Sequence, residues 1–234
     1  MMRGRRKLMD ANRNRVREMS IARTMERLRK NNMEAAYLPG AQDVVPMVRS
    51  LLDEGSTIAL GGSMTLAETG VLKLIRSDQY HLIDRNEPGL SRDELHARHI
   101  AAFSSDVLLT SVNAVTEHGE LYCVDGTSNR IAPLLFGPPR VVVIAGWQKI
   151  VPSLYDAVNR VKRIAAPANA MRLEMDTPCV KHGYCVAPYC DDRHLMSIPT
   201  GACDTGICSN MVVLGHQSIK GRITVLIVGE ELGY

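Results

Sequence analysis

The order of signals along the chain predicts an α/β fold, a mostly parallel sheet with helices on both faces. Three observations carry that expectation. Strand-like and helix-like segments alternate from one end to the other. The segment RVVVIA, residues 140–145, is continuous and β-branched, as a parallel strand buried on both faces requires. The chain has 234 residues, 45% of them hydrophobic and 23% charged, which suffices to bury a core without disulfides.

Each element has its own reason. Residues 11–31 read as a helix, with Val16, Met19, Ala22, Met25 and Leu28 at helical spacing. Glu34–Leu38 is a short strand. Asp43–Asp53 is amphipathic, with Val44, Met47, Val48, Leu51 and Leu52 on one side. Thr57–Leu60 is a buried strand running into Gly61-Gly62-Ser63, and a helix follows over Leu66–Arg76. Tyr80–Ile83 is a strand. Ser91 and Glu94 form a capping box for a helix through about Ala102. Asp106–Thr110 is a strand. Two apolar runs flank Glu117-His118-Gly119, the pattern of a hairpin. Ser128–Phe136 is helical, capped by Thr127 or Ser128 and ended by Gly137-Pro138-Pro139. Pro152–Ile164 is a helix with proline at its start. Met211–Leu214 and Ile223–Val228 are the last strands.

Charge is unevenly spread. Residues 1–32 hold 11 Lys/Arg against 3 Asp/Glu, which leaves 17 against 22 for the remainder. We read residues 1–32 as a basic N-terminal helical segment packing on the body, and 33–234 as the α/β domain. No aromatic residue interleaves these basic residues, so nucleic acid is not an expected partner. No apolar run reaches 18 residues, so no membrane span is expected. The first residues lack the apolar centre of a secretory signal, and Asp10, Glu18 and Glu26 argue against a transit peptide. A cytoplasmic protein is expected.

Ligands of parallel sheets bind beyond the carboxyl ends of the strands, which directs attention to residues 61–65, 111–130 and 146–149. In IALGGSMT, glycines let the backbone approach a ligand, and Ser63 or Thr65 offers a hydroxyl. It is neither a P-loop nor Gly-x-Gly-x-x-Gly. The segment SVNAVTEHGELYCVDGTSNR gathers Asn113, Glu117, Asp125, Thr127, Asn129 and Arg130 after a buried strand. Arg130 near a helix start opposes the helix dipole, which suits an anionic ligand or a carboxylate such as Asp125. Glu117 and Asp125 are the candidate acid/base or nucleophilic groups. The ligand-binding candidates are Gly61, Gly62, Ser63, Thr65, Asn113, Thr127, Asn129, Arg130 and Lys149. Five of the 6 cysteines fall in the cysteine-rich segment 177–210, spaced C-x5-C-x4-C-x12-C-x4-C. That pattern matches neither zinc-ribbon pairs nor ferredoxin runs. A metal or cluster site, a redox pair, a disulfide staple and unliganded thiols all remain open.

These features, in this order, resemble the LUD (lactate-utilisation) domain family. The resemblance rests on LGGSMTLAETG (60–70), the block NAVTEHGELYCVDGTSNRIAPLLFGPPRVVVIAG (113–146), WQKIV (147–151), VNRVKRIAAPANAMRL (158–173), TPC and GYC (177–185) and VLIVGEELGY (225–234), and spans about residues 10–234. It implies a NagB/ribose-5-phosphate isomerase (RpiA)/CoA-transferase-like fold whose relatives bind phosphorylated or acyl-CoA-type ligands at the sheet edge, often near a glutamate. It also implies a stand-alone member ending in a pattern like T-P-C-x5-C-x2-C-x5-R-x-C-N. Cys179, Cys185, Cys190, Arg193, Cys208 and Asn210 can be laid on that pattern. The set Cys179, Cys185, Cys190 and Cys208 is then the expected zinc or iron–sulfur site. The second gap is longer than in the pattern, and Cys203 stands before Cys208, which gives five thiols for four places.

Three functions compete. One is a component of lactate or related organic-acid utilisation that binds an anionic small molecule and works with an iron–sulfur oxidoreductase partner. Another is a stand-alone transferase, isomerase or ligase acting on a phosphorylated or acyl substrate. The third is a metal- or redox-sensing metabolite-binding module. A homodimer is expected by analogy with similar α/β folds.

Overall fold

The computed structural model describes residues 10–186, 203 and 206–234. Its strands are β1 (Glu34–Leu38), β2 (Thr57–Leu60), β3 (His81–Ile83), β4 (Val107–Thr110), β5 (Ala114–Thr116), β6 (Leu121–Asp125), β7 (Arg140–Gly146), β8 (Ile150–Val151), β9 (Asn210–Leu214) and β10 (Ile223–Val228). Its α-helices are α1 (Ala11–Lys30), α2 (Val44–Leu51), α3 (Met64–Glu68), α4 (Val71–Ile75), α5 (Arg92–Ala101), α6 (Ile131–Leu135), α7 (Leu154–Arg160), α8 (Ala166–Arg172) and α9 (Pro178–His182).

Six strands form a sheet in the order β1-β10-β7-β4-β2-β3, and every neighbouring pair runs parallel. Side chains alternate across a strand, and β7 demonstrates the consequence. Val141, Val143 and Ala145 join one core, while Val142 and Ile144 join the other. The second of these cores packs under α2, α3 and α4, through Val44, Val48, Leu66, Val71, Leu74 and Ile75. The first core is covered by α1, α6 and a separate sheet, through Ile21, Leu28, Ile131, Leu121 and Cys123. That separate sheet has the order β8-β5-β6-β9, and all its pairs but β5–β8 are antiparallel. One face of the central sheet therefore carries a second sheet as well as helices. Tyr122 and Val124, alternating with Leu121 and Cys123, face a third core under α7 and α8.

Most expected elements form. The Ser91–Glu94 capping box starts α5, with Glu94 N–H donating to Ser91 Oγ and Ser91 N–H to the Glu94 carboxylate. Four details differ. On α1 the buried stripe is Ile21, Thr24 and Leu28, while Val16, Met19 and Ala22 face outward. The helix expected over 66–76 is two short helices, broken at Gly70, whose φ of 76° is left-handed. The helix expected from Pro152 starts at Leu154 as α7, with Ser153 as its N-cap. The chain then passes through a π-helical turn, Val161–Ala165, into α8. A π turn leaves a carbonyl without its helical partner, and the Lys162 carbonyl accepts the N–H of Cys185 at 2.9 Å. Finally, Ser128 has φ 62° and caps nothing; Arg130 holds the N-cap position of α6.

Candidate functional site

The loops after β2, β3, β4, β6 and β7 meet at one end of the central sheet, where the second sheet and α8 close over them. They enclose a cavity of about 290 Å³. Gly62 and Ser63 come from the first loop, Arg85 from the loop after β3, and Ser111 and Asn113 from the loop after β4. Asp125, Thr127, Asn129 and Arg130 follow β6, Lys149 follows β7, and Asn169 and Arg172 reach in from α8. The hairpin creates this meeting. Its strands run antiparallel, so Ser111–Asn113 and Asp125–Arg130 share one end of the second sheet.

Arg130 is buried and fully engaged. Its Nε and Nη2 donate to Asp125 Oδ1 at 2.9 and 2.6 Å, Nη1 to the Ser111 carbonyl at 3.2 Å, and Nη2 also to Asn113 Oδ1 at 3.0 Å and the Val124 carbonyl at 2.9 Å. Asp125 Oδ2 accepts the backbone N–H groups of Arg130 and Ile131 at 3.2 Å each. Asp125 thus caps α6 and neutralises Arg130 at once, which occupies both of its oxygens. Asn113 Oδ1 accepts the Val124 N–H as well, at 2.9 Å. Gly61 is a packing glycine, since a Cβ there would meet the Thr110 side chain and the Arg130 stem.

Lys149 lies at the cavity floor, buried. Its Nζ donates to Thr65 Oγ1 and Ser111 Oγ at 3.0 Å each and to the Val112 carbonyl at 3.3 Å. Among the described residues no carboxylate bonds it. Burial first, then the Arg160 and Arg130 guanidiniums, bring the amine down from its usual range to about 7. Arg160 is itself held by the Asn113 carbonyl at 2.7 Å and the Gln148 carbonyl at 3.2 Å.

Arg85 is different. It lines the cavity and makes no hydrogen bond to any described residue, and its Nη1 is a buried atom without a partner. Burial lowers its pKa, opposed most by the Asp125 carboxylate. A Cβ on Gly62 would run into its guanidinium, so Gly62 makes room for it. Tyr234 also lines the cavity, and its hydroxyl is a second buried polar atom without a partner. Buried donors are normally satisfied, so each such group asks for a partner.

The structure therefore brings Gly62, Ser63, Asn113, Asp125, Thr127, Asn129, Arg130 and Lys149 to one cavity, with Gly61 and Thr65 just behind it. It corrects the placement of Glu117. That residue sits in the hairpin turn, at the opposite end of β5 and β6 from the cavity. It accepts from Ser20 Oγ at 2.5 Å and from Arg23 Nη2 at 3.2 Å, fastening α1 to the turn. The Ser20 hydrogen bond, then Arg23, holds its carboxyl below the usual range, against the opposing effect of burial. Sequence reasoning missed Arg85, Arg172 and Tyr234 as lining residues. Arg85 carries a readable signal, since it follows a strand in a Gly- and Pro-containing loop.

Four thiols gather beside this cavity. Cys179, Cys185, Cys203 and Cys208 line a small apolar void of about 60 Å³, and Cys208, Ile207, Val161 and Ala166 form a wall common to both. Cys208 is pushed up to about 12 by burial and by the other three thiols. Thr177 Oγ1 lies 3.2 Å from Cys179 Sγ. Cys190, in the expected ligand set, lies outside the described residues. Among the described residues no disulfide forms, and no three His, Cys, Asp or Glu side chains are gathered so as to hold a metal ion. No described helix is long and apolar enough to cross a membrane.

Comparison with known proteins agrees with this architecture. The fold is similar to a crystal structure of a DUF162 family protein from Deinococcus radiodurans, with a TM-score of 0.51 at 15% identity, covering 91% of this chain and 98% of that one. A second solved structure, eIF2B beta from Chaetomium thermophilum, matches with a TM-score of 0.33 at 13% identity over 48% of this chain and 43% of that one. No curated protein matches the sequence. The family model of the LUD domain matches residues 21–228, a span that takes in both sheets and every loop of the cavity, and the chain belongs to that family.

Proposed function

We propose that the chain is a cytoplasmic component of lactate or related organic-acid utilisation that binds an anionic small molecule in the strand-end cavity. The observation that carries this reading is the Arg85 guanidinium, which faces the cavity with Nη1 buried and without a partner. A planar guanidinium matches a carboxylate or phosphate in two hydrogen bonds. Arg172 adds a second cation at the rim, while Arg130, tied to Asp125, shapes the wall. The cavity of about 290 Å³ exceeds what a three-carbon acid fills. A ligand with a further acyl or phosphorylated part suits it better, in keeping with the enzyme alternative.

Calorimetric titration with L-lactate, pyruvate, citrate and inorganic phosphate tests this. At least one should bind, and Arg85→Gln should weaken that binding about tenfold to hundredfold, the loss expected for a charged hydrogen-bonding partner. Absence of binding by every anion, or equal binding by the variant, would overturn the reading. The partnership with an iron–sulfur oxidoreductase is tested by co-purification from the native host.

A second reading is a metal- or redox-sensing module. The specific observation behind it is the wall that the four-thiol void shares with the anion cavity. Zinc and iron content with an absorption spectrum, on protein purified without oxygen, tests it. A metal that draws the thiols together, or an anion affinity that falls on oxidation, supports it; metal-free protein with redox-independent affinity removes it.

A further inference from the structure

We propose that Ser111 and Lys149 are a nucleophile–base pair that transfers an acyl group from an anionic ester or thioester held in the cavity, a reading that rests on the anion site for its substrate class. Ser111 is the first residue beyond β4, and Lys149 lies on the turn beyond β7, its neighbour in the sheet. Both line the cavity and both are buried. Lys149 Nζ is 3.0 Å from Ser111 Oγ. Thr65 Oγ1 at 3.0 Å and the Val112 carbonyl at 3.3 Å fix the amine on its other sides. A nucleophile bonded to a base that a third group orients is the arrangement that activates serine hydroxyls, lysine serving as base in some of its variants.

The surroundings favour the neutral amine. The groups facing Lys149 are Arg160 from α7, Arg130 at the start of α6, Glu68 from α3 and Cys123 from β6. Burial keeps the Cys123 thiol protonated, so two guanidiniums oppose one carboxylate. Glu68 is turned to the Gly233 N–H, at 2.7 Å, and not to the amine. With the amine down at about 7, a large fraction of chains offers a lone pair on Nζ near neutrality, and the Ser111 hydroxyl then donates to it.

The step balances without a redox partner. Ser111 Oγ bonds to the acyl carbon as its proton passes to Nζ. The bond from that carbon to the leaving oxygen or sulfur breaks, and the leaving group takes the proton. Water then attacks the serine ester, one of its protons passes through Nζ to Ser111 Oγ, and the acid is released. The sum is ester or thioester plus water giving acid plus alcohol or thiol.

A fluorophosphonate is the direct probe, because it needs only an activated hydroxyl and no anion site. The full chain should gain one phosphonyl group, located on Ser111 by peptide mapping, with a rate that rises through about pH 7 as Lys149 loses its proton. Ser111→Ala should take up none. Lys149→Met should label about a hundredfold more slowly, the scale of general-base assistance. Should that variant fail to fold, Lys149→Arg keeps the charge without a removable proton and should label as slowly. No adduct, an adduct on another residue, or labelling of the lysine variants at the unaltered rate would overturn the proposal. Absence of labelling leaves anion binding standing, and absence of anion binding leaves labelling standing, so the two readings fail separately.

Discussion

Lys149 should make the stability of this protein rise with pH between about 7 and 10.5. Its amine sits at about 7 in the fold, against a usual value of 10.5. Between those values the unfolded chain holds a proton that the folded chain has lost. Stability therefore climbs with pH by up to about 1.4 kcal/mol per unit over that window. Below about 7 both states are protonated and the penalty is constant; above about 10.5 both are neutral and it vanishes. Integrated from pH ~7 to pH ~9, the gain is about 2 kcal/mol. Lys149→Met fills the same space with an apolar chain and leaves the Thr65 and Ser111 hydroxyls, 3.4 Å apart, to bond each other. Urea unfolding of both proteins at several pH values isolates the effect, because Cys123 and Cys208, pushed up to about 11 and about 12 by burial, are common to both. The wild type should gain about 2 kcal/mol relative to the variant over that span, and the variant should be the more stable at pH ~7. Parallel curves would refute the claim that burial and the two guanidiniums hold the amine neutral.

Three further outcomes follow from other contacts. Asp125→Asn removes one member of a buried ion pair, whose side chains are 10% and 11% exposed, and weakens the α6 cap; unfolding should become easier by about 3 kcal/mol, read by urea denaturation. Glu117→Ala should loosen α1 by about 1 kcal/mol and leave anion affinity unaltered, read by melting and titration together. The Ser20 hydrogen bond and Arg23 lower the Glu117 carboxyl, so its contribution is present at neutral pH and is lost as pH falls through the carboxylate range. Gly62→Ala presses on the far end of the flexible Arg85 side chain, so calorimetry should find weaker anion binding with little loss of stability.

The sequence made the central sheet legible because its strands carry their own signal. Residues 141–145 and 225–228 are short continuous apolar runs rich in β-branched residues, as strands buried on both faces require. The hairpin was legible too. Gly119, at φ 80°, turns the chain where a Cβ would strike the backbone of Arg27 and Leu28. What the hairpin does to distance was not legible. It carries Glu117 away from the strand ends while returning Asp125 to Asn113, so residues close in sequence part and residues far apart meet. The second sheet depended on β9 pairing with β6 across 84 residues or more, between Leu121–Asp125 and Asn210–Leu214, a match that local pattern does not encode. The stripe of α1 was misjudged because Ser20 and Thr24 pack inward beside Ile21, with the Thr24 hydroxyl satisfied by the Ser20 carbonyl at 2.9 Å. Arg85 stands in a loop whose place after a strand is readable, but the buried, unpartnered Nη1 that gives it meaning arises only from the fold.

Anion binding at Arg85 is tested most directly by watching its guanidinium while an anion enters. Nuclear magnetic resonance of protein labelled at the arginine side chains, with the Arg85→Gln variant assigning the signal, follows it during titration with each acid of the calorimetric panel. The Arg85 side-chain resonance should shift and saturate with the affinity measured by heat, while that of Arg130, already bonded to Asp125, should move less. An anion that binds and saturates without moving the Arg85 resonance would contradict binding at Arg85.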